Sequence, residues 1–597
     1  MSNQVELTTP VAGVILRFPI QPGVEVAAGT ELVVIESMKT EFVVTAPRPG
    51  TVGEWRVSSG ATVAVGEPLG VFLGARSLDL GEAPGSQAAG GSAEEDRGDL
   101  TELRRRRAVT LDFARPAAVE KRRLRGQRTA RENLADLCDD GSFVEYGGLA
   151  IAAQRTRRSV DELIERTPAD GLVCGLATIN AELVGRERAG AAVLAYDASV
   201  LAGTQGSVNH RKKDRIFELA ARKRLPLVLF AEGGGGRPGD VDVQSVAALD
   251  VPAFHLLARL SGVVPLIGIA SGRCFAGNAA LLGCCDVIIA TEGSNIGMGG
   301  PAMIEGGGLG VFAPEQIGAL AEQTANGLVD LAVADEAEAV AAARRCLTYF
   351  QGPLPAVGPD PSAAERLRAA VPENRARAFS MRAVIEAIAD PDSVFELQGG
   401  FAPGIVTALA RVEGEPIAVI ANDSHHLGGA IDCDGAEALA DFLELCEAQR
   451  LPIVSLLDTP GFMVGPDSER AGAVRRMSRL FTVGAKLTVP LCAVVIRKAY
   501  GLGAMAMCGG STRVPVATVG WPTSEFGGMG LEGAIKLGYK RELDAIADPD
   551  ERRRAYETMV EIAYERGRGL NLASLFEIDD VIDPAETRSW ISAAIGS

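Results

Sequence analysis

Only four histidines occur in the 597 residues, and the adjacent pair His425 and His426 is the one arrangement that invites a metal. Neighbouring residues on a strand point to opposite faces, so this pair suits a loop or the core better than a shared ion. The ten cysteines are scattered, with no CxxC pair and no histidine at ligand spacing. Zinc sites and disulfide frameworks are thereby excluded, and the thiols are expected to be small buried residues of a reducing compartment. No apolar run approaches the roughly 20 residues that cross a bilayer, and no N-terminal signal peptide is present. These absences predict a cytoplasmic chain with no membrane partner. Positive charge is short as well: 59 Lys and Arg stand against 77 Asp and Glu, a formal net charge of −18. A protein that grips phosphates along a backbone needs a net basic face, so nucleic acid is excluded as a partner. The one basic cluster, Arg104 to Arg107 with Lys121, Arg122 and Arg123, is expected on a solvated helix face or a subunit contact. No GKS or GKT follows a glycine-rich turn, which leaves a nucleotide P-loop unsupported.

What the chain does have begins at Val33 to Val44, VVIESMKTEFVV. Read outward from its centre, Ser37 pairs with Thr40, Glu36 with Glu41, Ile35 with Phe42 and Val34 with Val43, the pattern of a two-residue β-hairpin. Its tip is Met38-Lys39, where tight turns favour Asn-Gly because they need positive φ. A local rule broken at a tip points to function: a lysine amine held out on a stiff arm. The segments Ala12 to Glu36 and Pro49 to Leu73 echo each other around it, two similar halves of an all-β domain. After Leu73 the composition turns to Gly, Ala, Ser and acids, which predicts a flexible linker over residues 74–98.

From Asp99 to Ser597 the sequence repeats itself. ELAARKRLPLVLFAEGGGG (Glu218 to Gly236) returns as ELCEAQRLPIVSLLDTPGF (Glu444 to Phe462), AYDASVLAGT (Ala195 to Thr204) as ANDSHHLGGA (Ala421 to Ala430), and VVPLIGIASGRCFAGNAALL (Val263 to Leu282) as TVPLCAVVIRKAYGLGAMAM (Thr488 to Met507). Short unalternating apolar runs bounded by glycine predict strands buried on both faces, with helices between them. Two copies of one α/β domain follow, 99–355 and 362–597, parted by the Pro-rich stretch from Gln351 to Pro361. In each copy glycines follow a strand at two points: Gly233 to Gly236 and Gly272 to Gly277, then Pro460 to Phe462 and Gly501 to Gly503. Unpaired N–H groups at such turns suit a developing oxyanion.

ESMK (Glu36 to Lys39) resembles the biotin attachment motif of biotin carboxyl carrier domains, and Met before the lysine favours biotin over lipoate. GGGGR (Gly233 to Arg237), RKAYGLGAMAM (Arg497 to Met507), DTPGF (Asp458 to Phe462) and GYKREL (Gly538 to Leu543) resemble motifs of biotin-dependent acyl-CoA carboxyltransferase subunits of the beta type. The resemblance implies a biotinyl barrel (1–73) fused to two crotonase-like domains, with biotin covalently on Lys39. The implied reaction passes the carboxyl group of carboxybiotin to the α-carbon of an acyl-CoA. It further implies one backbone oxyanion hole per domain, Gly234 with Gly235 and Leu502 with Gly503, no side-chain base, no metal, and a hexamer-like homo-oligomer in which CoA and biotin meet between neighbouring subunits. A biotin protein ligase and a separate biotin carboxylase subunit are the implied protein partners, since no ATP-binding glycine-rich loop is present. Met505 stands where acetyl- and propionyl-type enzymes carry Asp, which predicts a different or larger acyl group. A biotin-dependent decarboxylase running the same chemistry backwards, and a non-catalytic scaffold presenting the carrier, are the alternatives.

Overall fold

The structure, a computed structural model, describes residues 4–74, 97–237, 239–242 and 249–596. The chain divides into two compact units between Asp96 and Arg97. Of the expected linker, residues 75–96 lie outside the described residues; its last residue, Gly98, already opens the helix Gly98–Val109.

The first unit is all β, with two four-stranded antiparallel sheets. Leu32, Val33, Ile35, Val52, Leu69 and Phe72 fill the space between them and are fully buried. The echo in the sequence has a backbone meaning. A Cβ at Gly13 would lie 2.2 Å from the Glu36 carbonyl oxygen, and one at Gly50 would lie 2.4 Å from that of Leu73. Each sheet therefore has a close strand approach that only glycine fits. The strands Glu31–Ser37 and Thr40–Thr45 form the expected hairpin, with all four cross-strand pairs in register.

The second unit contains the duplication. In the first sheet the strands run Leu331–Val333, Val287–Thr291, Leu266–Phe275, Leu227–Gly233, Gly190–Tyr196, Leu172–Thr178 and Val144–Glu145. In the second they run Phe395–Leu397, Ile405–Val412, Glu415–Asn422, Ile453–Thr459, Leu491–Tyr500, Ala517–Gly520 and Asp580–Val581. The inner strands are parallel, while the pairs Leu172–Thr178 with Gly190–Tyr196 and Ile405–Val412 with Glu415–Asn422 are antiparallel. Ile453–Thr459 is buried at every residue, as a central strand covered on both faces must be. The returning helices Ser207–Lys223 and Cys433–Gln449 both end on an arginine in the left-handed conformation, Arg224 and Arg450.

The two copies share a core. Val193, Val228 and Ile269 of the first sheet belong to the same apolar cluster as Leu409, Leu457 and Val495 of the second. The helix Glu336–Phe350 inserts Val340, Ala343 and Leu347 into that cluster, and the Pro-rich stretch after it holds neither helix nor strand.

Two expectations need correction. Arg122 is not on a solvated face: it is 8% exposed and bonds the Glu232 carboxylate at 2.7 and 2.8 Å, with Glu336 at 3.8 Å. A charge run says nothing about the buried carboxylates that tertiary folding brings to one of its members. Eight of the ten cysteines are buried, but Cys284 and Cys285 are only half-buried at the end of the helix Gly277–Leu282. All ten are free thiols. His425 and His426 separate as expected, one bonding Asp423 at 2.8 Å and the other Asp432 at 3.1 Å. No cluster of metal-ligating side chains occurs among the described residues.

Candidate active site

Lys39 sits exposed at the hairpin tip beside Met38, which is 97% exposed. Both residues have positive φ, 49° and 67°. A two-residue turn whose twist matches the flanking strands demands that conformation at both positions. The sequence meets the demand with two long side chains and no glycine, so the tip carries strain that presents the amine.

In each half of the second unit, two turns meet. The strand Leu227–Gly233 runs into Gly234, Gly235 and Gly236; the strand Leu266–Phe275 runs through Ala276 into the helix Gly277–Leu282. The two turns touch: a Cβ on Gly235 would come within 2.9 Å of the Ala276 Cβ and 3.7 Å of the Gly277 nitrogen. The second half repeats this with the strand Ile453–Thr459 running into Gly461 and Phe462, and the strand Leu491–Tyr500 into the helix Gly501–Met507. Here contact is tighter, since a Cβ on Gly503 would fall 2.7 Å from the Gly461 Cα and 2.9 Å from the Phe462 nitrogen.

Hydrogen bonding fixes which N–H groups face outward. The Gln205 N–H donates to the Gly235 carbonyl, and the Arg237 N–H donates to the Gln205 carbonyl, each at 2.9 Å. In such a parallel bridge the intervening residue turns its own N–H to the opposite edge, and that residue is Gly236. Ile431 bridges Gly461 and Met463 in the same way, at 3.0 and 2.8 Å, and turns out the N–H of Phe462. The first N–H groups of the two short helices have no intrahelical acceptor either. The sequence-derived pairs are thus each met by a second turn: Gly234 and Gly235 by Ala276–Gly277, Leu502 and Gly503 by Gly461–Phe462. Gly236 and Phe462, which the 226-residue repeat aligns with each other, lie in the turns the sequence singled out but outside the two pairs that the resemblance implied.

Each strand end carries a carboxylate at the same position of the repeat, held by an arginine from a different place in the chain. Glu232 is held by Arg122. Asp458, fully buried, accepts from Arg497 at 3.1 and 2.7 Å and lies 3.6 Å from the Lys498 ammonium. Burial pulls the Lys498 ammonium below the usual lysine range. Beside the second pair of turns lies a cavity of about 790 Å³, lined by Leu502, Met505, Phe526, Leu531, Tyr539 and Ile562 among others. Its wall is largely apolar, and Leu502 and Met505 are 59% and 44% exposed.

A duplicated α/β sheet pair in which each half brings two N–H-bearing turns together defines the class of two-domain carboxyltransferases of crotonase-like fold. The chain belongs to the carboxyl transferase family: the model of the carboxyl transferase domain matches residues 121–596, and that of the biotin-requiring enzyme domain matches residues 5–72. Its N-terminal unit is accordingly a biotin carrier domain. The chain is 32% identical over 510 residues to the methylmalonyl-CoA carboxyltransferase 12S subunit of Propionibacterium freudenreichii subsp. shermanii, covering 83% of this chain and 94% of that one. It is 30% identical to the propionyl-CoA carboxylase beta chain of Saccharopolyspora erythraea, with coverages of 83% and 92%. Among solved structures, a single-chain, multi-domain long-chain acyl-CoA carboxylase is 54% identical with a TM-score of 0.80, matched over 99% of this chain. The chain spans 56% of the length of that relative. The transcarboxylase 12S hexamer matches with a TM-score of 0.73, at 29% identity over 84% of this chain and 94% of that one. No helix among the described residues is long and apolar enough to cross a membrane.

Proposed function

We propose that this chain performs the carboxyl-transfer half of a biotin-dependent acyl-CoA carboxylase, with a long-chain acyl-CoA as acceptor. The observation that carries the reading is the presence, on one chain, of a lysine-tipped carrier hairpin and two pairs of converging N–H-bearing turns. Biotin attached at Lys39 supplies a ureido nitrogen that holds CO₂ in activated form. The exposed, strained tip fits that attachment, because a modifying enzyme needs the amine clear of the barrel. In the first half, the N–H groups of Gly236 and Gly277 hold the thioester oxygen as it gains enolate charge, with Gly234 and Gly235 allowing the turns to close. In the second half, the N–H groups of Phe462, Leu502 and Gly503 hold the ureido oxygen. Donors of this kind are each worth about 10²–10³ in rate.

The long acyl group is supported by the 54% identity to a long-chain enzyme and by the apolar Met505 on the cavity wall. A methylmalonyl-CoA decarboxylase alpha subunit of Veillonella parvula is also related, at 31%, and the higher identity to a carboxylase favours the carboxylating direction. A hexamer is supported by the 12S assembly. CO₂ activation is assigned to a biotin carboxylase, and biotin attachment to a biotin protein ligase. The test supplies the biotinylated chain with a biotin carboxylase, ATP and bicarbonate and measures kcat/KM from acetyl-CoA to stearoyl-CoA. Palmitoyl- and stearoyl-CoA are expected to exceed acetyl- and propionyl-CoA by at least about tenfold, the discrimination an apolar pocket supplies. A maximum at acetyl- or propionyl-CoA refutes the assignment.

A further inference from the structure

Beneath the first pair of turns runs a chain of buried polar side chains that the repeat does not copy. Asn278, 0% exposed, donates to the Gly203 carbonyl at 3.0 Å and to the Glu232 carbonyl at 2.8 Å. It therefore ties the start of the helix Gly277–Leu282 to the strand end that leads into Gly233–Gly236. Its amide oxygen accepts from Gln205 Nε2 at 2.6 Å, and the same nitrogen reaches the Tyr196 hydroxyl at 3.2 Å. Tyr196 in turn accepts from Lys213 Nζ at 2.8 Å. Gln205 is also the residue whose backbone bridges Gly235 and Arg237, so one residue holds the N–H-bearing turn by its backbone and the facing helix by its side chain.

The second half shows what the fold requires at these places. The positions equivalent to Lys213, Gln205 and Asn278 are Leu439, Ile431 and Gly503, all buried and without a polar side chain, while Tyr196 aligns with the buried Asn422, whose amide oxygen accepts from the Asp458 N–H. There the helix start presses directly on the backbone of the facing turn; in the first half the Asn278 side chain reaches from the helix start to the Glu232 carbonyl at the strand end. A leucine satisfies the packing where Lys213 stands, yet the first half buries an ammonium, 0% exposed, whose hydrogen-bond partner among the described residues is a neutral phenol. Burying a cation without a bonded carboxylate is costly, and such cost is retained where it serves a site. The neighbouring Lys212, by contrast, is spent on carbonyls of residues 169 and 172. Burial draws Lys213 down to about 7.

We propose that Lys213, Tyr196, Gln205 and Asn278 form a positioning network that sets the spacing of the Gly236 and Gly277 N–H groups and lends positive potential to the anion held there. The inference rests on reading these turns as an oxyanion hole. Donors aimed at developing charge in a water-excluded site are sensitive to small displacements and to fixed charge behind them. None of the four side chains contacts the reacting atoms; they act through the backbone.

The test compares the full biotinylated chain with its Lys213→Met and Tyr196→Phe variants, measuring kcat and KM for the acyl-CoA and the melting temperature. The network predicts a kcat at least about tenfold lower in both variants, KM within about threefold, and a melting temperature for Lys213→Met equal to or above that of the parent. Unchanged kcat in both variants overturns it. A fall in melting temperature that parallels the fall in kcat also overturns it, because the residues then serve only the fold. Absence of transfer by the parent chain itself refutes the carboxyltransferase reading instead.

Discussion

Lys213 carries a pH signature that belongs to a single residue. Folding lowers its ammonium from the ordinary 10.5 to about 7, chiefly by burial; Asp214 and Asp170 oppose the drop, and Arg237 adds to it. The unfolded chain therefore holds a proton between pH 7 and 10.5 that the folded chain has released, and stability contributed at this site rises with pH across that window. Below pH 7 the folded state carries the full cost of the buried charge. Lys213→Met, which also removes the influence of the ammonium on the Tyr196 hydroxyl and on His210, is expected to stabilise the protein most below pH 7. That advantage fades toward pH 10.5. Denaturant melts of both proteins at several pH values check this, and a difference that stays constant across the window contradicts it.

At the scale of elements, the turn–helix pairs show what the sequence could and could not disclose. The strands, the returning helices and the repeat were legible because buried apolar runs and glycines recur at a fixed offset. The hairpin register was legible to the residue, since apolar residues face each other across Met38-Lys39. Gly236 and Phe462 fell outside the implied pairs because the direction of an N–H depends on a bridge to Gln205 or Ile431, residues about 30 positions upstream with no local signature. Arg122 escaped for a similar reason: its carboxylate partners, Glu232 and Glu336, lie far along the chain. Gly503 gives this scale its prediction. Any Cβ there collides with the Gly461 and Phe462 backbone, so Gly503→Ala must push the two turns apart. A misplacement on the order of 1 Å costs about 10² in rate, and steady-state assays of Gly503→Ala are expected to show a kcat loss of that size. Activity within about twofold of the parent contradicts the pairing of these turns as donors.

For the whole molecule, the shared apolar cluster explains why two copies of one domain form one unit. Val228 and Leu457 lie in the same core, whereas their counterparts in the repeat, Val454 and Ala231, lie in two separate clusters, so the two copies turn opposite faces of the equivalent strand to the shared core. The carrier has its own core around Leu32, Ile35 and Phe72. The proposed function divides the labour: one unit presents a modified lysine, the other holds anions. Its central claim is that the carboxyl group delivered to the acyl-CoA travels by way of Lys39. The most direct measurement follows label from bicarbonate into long-chain acyl-CoA with a biotin carboxylase and ATP, alongside a streptavidin blot, in the parent and in Lys39→Arg, which keeps the charge but offers no acylable amine. Label and streptavidin signal in the parent, and neither in the variant, are the predicted result; label transfer or a persistent streptavidin signal in Lys39→Arg would contradict the account.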